Sequence, residues 1–122
     1  MAAGFVKYEV PKELTDKIYE AIQMANTTGK VRKGVNEATK SVERGISKLV
    51  IMAEDVTPEE ILMHIPVICD EKKIAFTYVP FKAELGKAAG LEVSTGAVSI
   101  DEEGSAKKNV ADIVSKISAL KK

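Results

Sequence analysis

The chain alternates segments of helical periodicity with short, almost wholly apolar runs of strand length. Residues 49–53 (LVIMA) and 75–79 (AFTYV) are rich in β-favouring residues, as expected for strands covered on both faces. Apolar side chains recur at helical spacing in residues 14–25 and 106–120. Because strands that alternate with helices require crossover connections, this order predicts an α/β domain. We expect helices on both faces of a small sheet.

Turn and capping residues place the remaining elements. Gly34 separates a short strand at residues 30–33 from a helix at residues 36–44, which Gly45 closes. A helix at residues 82–89 has Gly90 as its C-cap, and the last strand covers residues 97–100.

The sequence Thr57-Pro58-Glu59-Glu60 has the form of a capping box, with a hydroxyl at the N-cap and a carboxylate at N3. It predicts the start of a further helix, which would bury Ile61, Leu62 and Ile65. Pro66 would then kink this helix or begin a second helical piece.

Length and composition exclude several classes of protein. The 122 residues contain neither a repeat nor a linker and fit one domain, residues 1–122. No apolar run approaches the length of a membrane span, and no leader pattern opens the chain, so we expect a cytoplasmic protein. One histidine (His64) and one cysteine (Cys69) are too few for a structural zinc site, and no catalytic triad is evident. We therefore predict no metal, no cofactor and no catalytic residue.

Charge is unevenly distributed although 18 cationic and 18 acidic side chains cancel over the whole chain. Residues 26–48 contain six Lys or Arg and two Glu, a local net of plus four. Residues 54–71 contain six acids and no Lys or Arg, a local net of minus six. The two segments could simply solvate two faces of the domain, but the composition of the basic one points to a binding site.

The basic segment combines a glycine at a predicted helix start with several kinds of polar side chain. Free N–H groups beyond Gly34 would favour phosphate. Asn36, Lys40 and Arg44 are spaced four apart and share one helix face, beside Glu37. Amide, carboxylate and cationic groups together can read base edges as well as neutralise phosphate. The alternative is that Asn36 caps the helix and the charged side chains form an exposed face with weak ion pairs.

A nucleotide-binding loop is a further alternative, because Gly29 and Gly34 reproduce the glycines of GxxxxGK[ST]. Val35 and Asn36 replace the essential Lys and Ser/Thr, so the grip on phosphate and the magnesium ligand are both absent. The sequence therefore argues against a P-loop.

The run TGKVRKGVNEATKSVERGISKLVIMAEDV resembles the signature of the L7Ae family of kink-turn RNA-binding proteins, which includes archaeal ribosomal proteins and eukaryotic relatives. The resemblance continues through TPEEILMHIPVICDEKKI, ELGKAAG and LEVSTG and covers essentially the whole chain. Its KGxNExxKxxxRG pattern is specific because it places two glycines and four functional side chains at set spacings.

The resemblance implies a three-layer α/β/α sandwich with a small mixed sheet. It also implies binding to a kink-turn, an RNA stem bent at a three-nucleotide bulge beside tandem sheared G·A pairs. Such a bend opens a groove that is too narrow for side chains in ordinary A-form RNA. By family analogy, the guanines of the G·A pairs are contacted by Asn36, Glu37 and Lys40. The flanking phosphates are held by Lys33, Arg44 and the Gly34 backbone.

Two further elements follow from the same resemblance. The loop that covers the bulged nucleotides consists of Leu91, Glu92, Val93 and Ser94, and a flipped-out base lies near Ile61 and Lys82. An alternative for the loop is a helix C-cap that enters the last strand, with Leu91 and Val93 partly in the core.

The function implied is that of a monomeric, non-catalytic RNA-binding protein of archaeal type. Its partners would be kink-turns of large-subunit ribosomal RNA, of box C/D and H/ACA guide RNAs and, in some lineages, of ribonuclease P RNA. The acidic segment at residues 58–71 would face away from RNA and receive a scaffold protein of the guide particles. Two other hypotheses stay open. The first is a small α/β enzyme that binds a phosphorylated metabolite at the Gly34 helix terminus, where only Glu37 is available as a base. The second is a structural ribosomal protein that has no RNA specificity of its own.

Overall fold

A computed structural model describes residues 6–120 and shows five α-helices and four strands in this part of the chain. The elements in order are α1 (Lys12–Thr28), β1 (Lys30–Lys33), α2 (Val35–Glu43), β2 (Leu49–Ala53), α3 (His64–Lys72), β3 (Phe76–Val79), α4 (Lys82–Ala88), β4 (Ala97–Glu102) and α5 (Lys107–Leu120). Short 3₁₀ turns at Glu59–Ile61 and Gly104–Ala106 precede α3 and α5. The predicted domain of residues 1–122 extends beyond the described residues at both ends.

The strands form one mixed sheet in the order β1-β4-β2-β3. β2 and β3 are parallel, with Val50 opposite Phe76, and are joined by the crossover that contains α3. β4 lies antiparallel to both of its neighbours and pairs Ser99 with Arg32 of β1 and with Val50 of β2. The last strand in the sequence, β4, therefore lies inside the sheet, and β1 and β3 are the edge strands.

Helices cover both faces of the sheet, as the apolar strand sequences predict. Every residue of β2 and β3 is buried. α1 packs with α4 and α5 in one layer, and α2 packs with α3 in the other. The three-layer α/β/α sandwich with a small mixed sheet is therefore confirmed. Within residues 6–120, no helix has both the length and the apolar character needed to span a membrane.

The predicted capping box is wrong. Pro58 occupies the position before the 3₁₀ turn with an extended backbone (ψ 154°), and no side chain caps the turn. Because Pro58 is not helical, it takes the N-cap position itself, and the Thr57 hydroxyl lies one residue too early to cap the turn. The chain makes one short turn there, and the α-helix begins only at His64.

The second helical piece predicted near Pro66 exists and begins two residues before it. Pro66 fits the first turn because the N–H that it lacks would have no intrahelical partner there. Leu62 and Ile65 are buried as predicted, whereas Ile61 is 42% exposed, which contradicts its predicted burial. The short turn directs Ile61 outward because its neighbour Leu62 occupies the core.

Candidate nucleic-acid interface

A cleft of about 720 Å³ opens at the N-terminus of α2. Its lining consists of Lys33, Gly34, Val35, Asn36, Glu37, Ile61 and His64. The structure thus brings Ile61 together with four predicted site residues of the basic segment, which lie at least 24 positions earlier in the sequence: Lys33, Gly34, Asn36 and Glu37. The resemblance to the L7Ae family assigns all five a role in RNA binding.

Gly34 shapes the floor of this cleft. Its backbone adopts φ 101° and ψ 154°, a conformation open essentially to glycine alone, and no heavy atom lies within 4 Å of the position of a Cβ. The first bond of α2 runs from the Ala38 N–H to the Gly34 carbonyl at 2.9 Å. Three N–H groups, those of residues 35–37, precede that bond and have no partner within the helix. Their position and the helix dipole favour a phosphate or another anion.

Asn36 does not cap α2, which contradicts the structural alternative predicted for it. Gly34 is the N-cap, no side chain makes a capping hydrogen bond, and Asn36 is the exposed second residue of the helix. Its amide is therefore available to a ligand in the cleft, with both a donor and an acceptor.

The Glu37 carboxylate lies between two cations. Lys40 Nζ is 3.6 Å from Glu37 Oε2, and Arg32 Nη1 is 3.9 Å from Glu37 Oε1. The predicted weak ion pair on this face is thus present between Glu37 and Lys40. A partly exposed pair such as Glu37–Lys40 contributes little to stability, so its two side chains remain available to bind a ligand.

Lys40 and Arg44 continue the charged face of α2 away from the cleft. Lys40 is one turn beyond Asn36, and Arg44 is the C-cap residue of the helix. At about 1.5 Å per residue, Arg44 lies roughly 15 Å along the helix from Gly34. Both side chains are exposed and extend the cationic surface along α2 beyond the cleft.

The predicted loop at residues 91–94 packs against α4, which begins at Lys82. The Thr95 N–H donates to the Lys82 carbonyl at 3.1 Å, and the Val93 carbonyl lies only 2.1 Å from where a Cβ on Gly86 would stand. Leu91 is partly buried as its structural alternative predicts, but Val93 is 68% exposed and does not belong to the core. The tip of the loop therefore presents an apolar side chain to solvent.

Backbone contacts connect this loop to the cleft. The Gly34 N–H donates to the Ala97 carbonyl at 2.8 Å. A Cβ on Gly96 would lie 3.1 Å from a methyl group of Val35. Because residues 96 and 97 lie only two and three positions beyond the end of the loop, the loop and the start of α2 reach the same end of the sheet.

The start of α4 also lies beside acidic side chains. The Lys82 N–H donates to Asp55 Oδ1 at 2.8 Å. Burial raises the pKa of the nearby Tyr19 to about 12, and the negative charges of Glu84 and Asp55 act in the same direction. The Lys82 cation therefore borders a region of negative potential, so any RNA contact there depends on the lysine itself.

Val35 and His64 of the cleft lining were not predicted as site residues, and neither was Arg32, which pairs with Glu37 from outside that lining. His64 is exposed, and its Nε2 lies 2.9 Å from Thr39 Oγ1 of α2. Arg32 directly precedes Lys33 in the basic run, which was the available signal for it. The sequence does not predict the contact between His64 and Thr39, because 25 residues separate them. Among residues 6–120, no group of three or more His, Cys, Asp or Glu could hold a metal ion.

Comparison with known proteins agrees with this architecture. The sequence model of the ribosomal protein L7Ae/L30e/S12e/Gadd45 family matches residues 16–110. The structure is similar to that of a solved chain described as the Giardia lamblia 15.5kD RNA binding protein, with 33% sequence identity and a TM-score of 0.86. The match covers 91% of this chain and 92% of that chain. The chain therefore belongs to the ribosomal protein L7Ae/L30e/S12e/Gadd45 family.

Proposed function

We propose that the protein is a non-catalytic RNA-binding protein that recognises and stabilises kink-turns. The cleft at the start of α2 carries this proposal, because it combines unpaired helix N–H groups, the Asn36 amide, the Glu37 carboxylate and the apolar Ile61 side chain. The N–H groups suit phosphate, and the amide and carboxylate suit the edges of exposed bases. The apolar side chain suits a base that has left the stack.

The 15.5kD relative supports the RNA-binding part of the proposal, since its description names RNA binding. The protein is not an enzyme, because it belongs to a non-enzymatic family. His64 is a second side chain in the cleft, besides Glu37, that could accept a proton as a general base. Its Nε2 is hydrogen-bonded to Thr39. Membership of the family therefore argues against an enzyme that binds a phosphorylated metabolite at the Gly34 helix terminus.

The polar groups of α2 and of the residues before it divide into two roles in this proposal. Asn36, Glu37 and Lys40 read the G·A guanines. Lys33, Arg44 and the Gly34 backbone position the flanking phosphates. The loop of Leu91, Glu92, Val93 and Ser94 covers the bulged nucleotides, while Ile61 and Lys82 border a flipped-out base.

A gel-shift titration with two RNAs tests the proposal. One RNA is a kink-turn stem, and the other is the same stem with its G·A pairs replaced by Watson–Crick pairs, both at one fixed salt concentration. We expect a preference for the kink-turn of about a hundredfold, or about 2.7 kcal/mol. Equal binding of the two stems would reject kink-turn recognition and favour a ribosomal protein without specificity of its own.

The RNAs proposed as natural partners are large-subunit ribosomal RNA, box C/D and H/ACA guide RNAs and ribonuclease P RNA, encountered in the cytoplasm by a monomeric protein. Crosslinking in cells followed by sequencing of the bound RNA distinguishes these particles. Recovery of only one class of RNA would restrict the proposal to that particle.

A scaffold protein is a proposed second partner, and the acidic segment at residues 58–71 is its proposed contact surface. Glu59, Glu60 and the apolar Met63 and Val67 are exposed there, the last two at 45% and 55%. Ile61 and His64 of the same segment line the cleft, so the expectation that the whole segment faces away from the RNA site is wrong.

Reversing the charges of Glu59 and Glu60 should weaken scaffold recruitment but not kink-turn binding. Unchanged recruitment in a pull-down would reject this surface.

A further inference from the structure

A buried carboxylate lies directly behind the charged face of the cleft. Asp101 of β4 is 5% exposed, and its two oxygens accept hydrogen bonds from different hydroxyls. Ser99 Oγ is 2.7 Å from Oδ1, and Ser41 Oγ of α2 is 2.9 Å from Oδ2. Ser99 Oγ is also 2.7 Å from Ser47 Oγ. Hydrogen bonds of this kind compensate for the loss of water around a buried carboxylate and restrict its position.

Arg32 connects this carboxylate to the cleft. It lies on β1 opposite Ser99, with its Nε 3.6 Å from Asp101 Oδ2. Its Nη1 is 3.9 Å from Oε1 of Glu37, and Glu37 in turn pairs with Lys40. Ion pairs therefore connect the buried Asp101 carboxylate to the partly exposed Arg32 guanidinium, and Arg32 to the Glu37 carboxylate in the cleft.

We infer that Asp101 is a positioning residue for RNA recognition that acts through Arg32. It holds the guanidinium against the protein, so that Arg32 orients Glu37 instead of binding any phosphate within reach. This inference rests on the proposed kink-turn function and identifies a residue that preserves the preference for kink-turn RNA over other RNA. It involves no contact between Asp101 and RNA, since the carboxylate is buried.

Removing the Asp101 charge frees a cation at the edge of the cleft. The Arg32 side chain is already 39% exposed and could turn toward phosphate once its buried partner is neutral. Sequence-independent affinity should then rise, because phosphate contacts carry no base information. Affinity for the kink-turn should fall, because Glu37 loses the cation that orients it. A general loss of stability would weaken the binding of both RNAs together and would not produce these opposite changes.

The test compares Asp101→Asn, Arg32→Gln and the double variant on the kink-turn stem and on its Watson–Crick counterpart. We expect Asp101→Asn to reduce the wild-type preference about tenfold, with tighter binding of the Watson–Crick stem and a salt dependence steeper by about one phosphate contact. In the Arg32→Gln background the same substitution should no longer tighten binding of the Watson–Crick stem, because residues in one network act non-additively. If Asp101→Asn does not fold, Asp101→Ser replaces it throughout.

Glu102→Gln is the matched control, because it removes the same charge from the next, exposed residue of β4. It should change the binding of both RNAs equally. The inference is overturned if Asp101→Asn keeps the wild-type preference, weakens both RNAs equally, or tightens the Watson–Crick stem to the same extent without Arg32. A wild-type protein that does not distinguish the two stems would reject the proposed function itself, and the role of Asp101 with it.

Discussion

The Gly34 N–H donates a 2.8 Å hydrogen bond to the carbonyl of Ala97, which joins the start of α2 to the start of β4. Gly34 lines the cleft, and Ala97 follows the loop at residues 91–94 after only two residues. One backbone contact thus connects the two elements of the proposed RNA site. Their relative position depends on pairing in the sheet, so changes to the backbone at either end should affect RNA binding.

Gly34→Ala should lower both stability and RNA affinity. Its positive φ is strained for any residue with a Cβ, at a cost of about 1–3 kcal/mol, and relaxation would displace the helix N–H groups that face the cleft. Gly45→Ala is the control, because Gly45 also has a positive φ (71°) and open space but lies at the other end of α2. It should cost about 1 kcal/mol of stability with unchanged RNA affinity. Thermal unfolding and gel shifts measure the two effects, and equal RNA affinities for the two variants would contradict the role of the Gly34 backbone.

Lys40→Ala and Lys33→Ala should weaken RNA binding in different ways. If Lys40 contacts a guanine, its loss costs about 1–3 kcal/mol on the kink-turn and reduces discrimination against the Watson–Crick stem. Loss of a phosphate contact at Lys33 should weaken both RNAs similarly and make the salt dependence shallower. Titrations at several salt concentrations separate the two cases. The same loss of discrimination in both variants would show that the proposed division of roles is wrong.

Ile61→Ser should reduce kink-turn affinity without a large loss of stability. The side chain is 42% exposed in the cleft, so covering it with a base would contribute about 1 kcal/mol to binding and little to folding. Val67→Ser is the control, since Val67 is 55% exposed on α3 but does not line the cleft. An unchanged affinity of Ile61→Ser would remove Ile61 from the binding site.

Gly86→Ala should displace the loop at residues 91–94. The new Cβ would stand 2.1 Å from the Val93 carbonyl oxygen, so the loop must move, at a cost of about 1–3 kcal/mol. Affinity for a kink-turn with its bulge should fall more than affinity for the stem without it. Ala83→Gly is the control, because it costs about 1 kcal/mol of helix stability at an exposed position of the same helix and does not crowd the loop. Equal effects of both variants on RNA affinity would show that the loop does not contact the bulge.

Glu54→Gln should stabilise the protein in a pH-dependent way. Partial burial, together with the charge of Glu9, raises the pKa of Glu54 above its ordinary value of 4.5. Folding therefore favours the protonated acid, and the stability that this provides is present below the unfolded pKa and lost as pH rises through the folded one. Compared with wild type, Glu54→Gln should raise the melting temperature near pH 7 and leave it unchanged near pH 3, where Glu54 is protonated in both states.

Glu60→Gln provides the comparison for this measurement, because Glu60 is exposed and its replacement should leave the melting temperature unchanged at both pH values. A stabilisation by Glu54→Gln of the same size near pH 3 would mean that the effect does not arise from ionisation.

The sequence by itself determined the elements whose signals are local. β1 and β2 begin and end at the predicted residues, because an apolar run or a flanking glycine marks each boundary. The stripe of α1 is buried as its periodicity predicts, at Leu14, Ile18, Ala21, Ile22 and Ala25. The family pattern around Gly34 likewise identified most residues that line the cleft. Such features depend on propensity and on spacing within a few residues, which the sequence displays directly.

The tertiary structure alone decided which distant residues meet. Pro58 adopts an extended backbone in spite of the capping-box pattern, and this turns Ile61 out of the core and into the cleft. Arg32 meets Asp101, 69 residues later, because β4 inserts between β1 and β2 and places the two side chains within reach. Strand order and register arise from the packing of the whole domain. Local periodicity therefore predicts the faces of each element but not the partners across them.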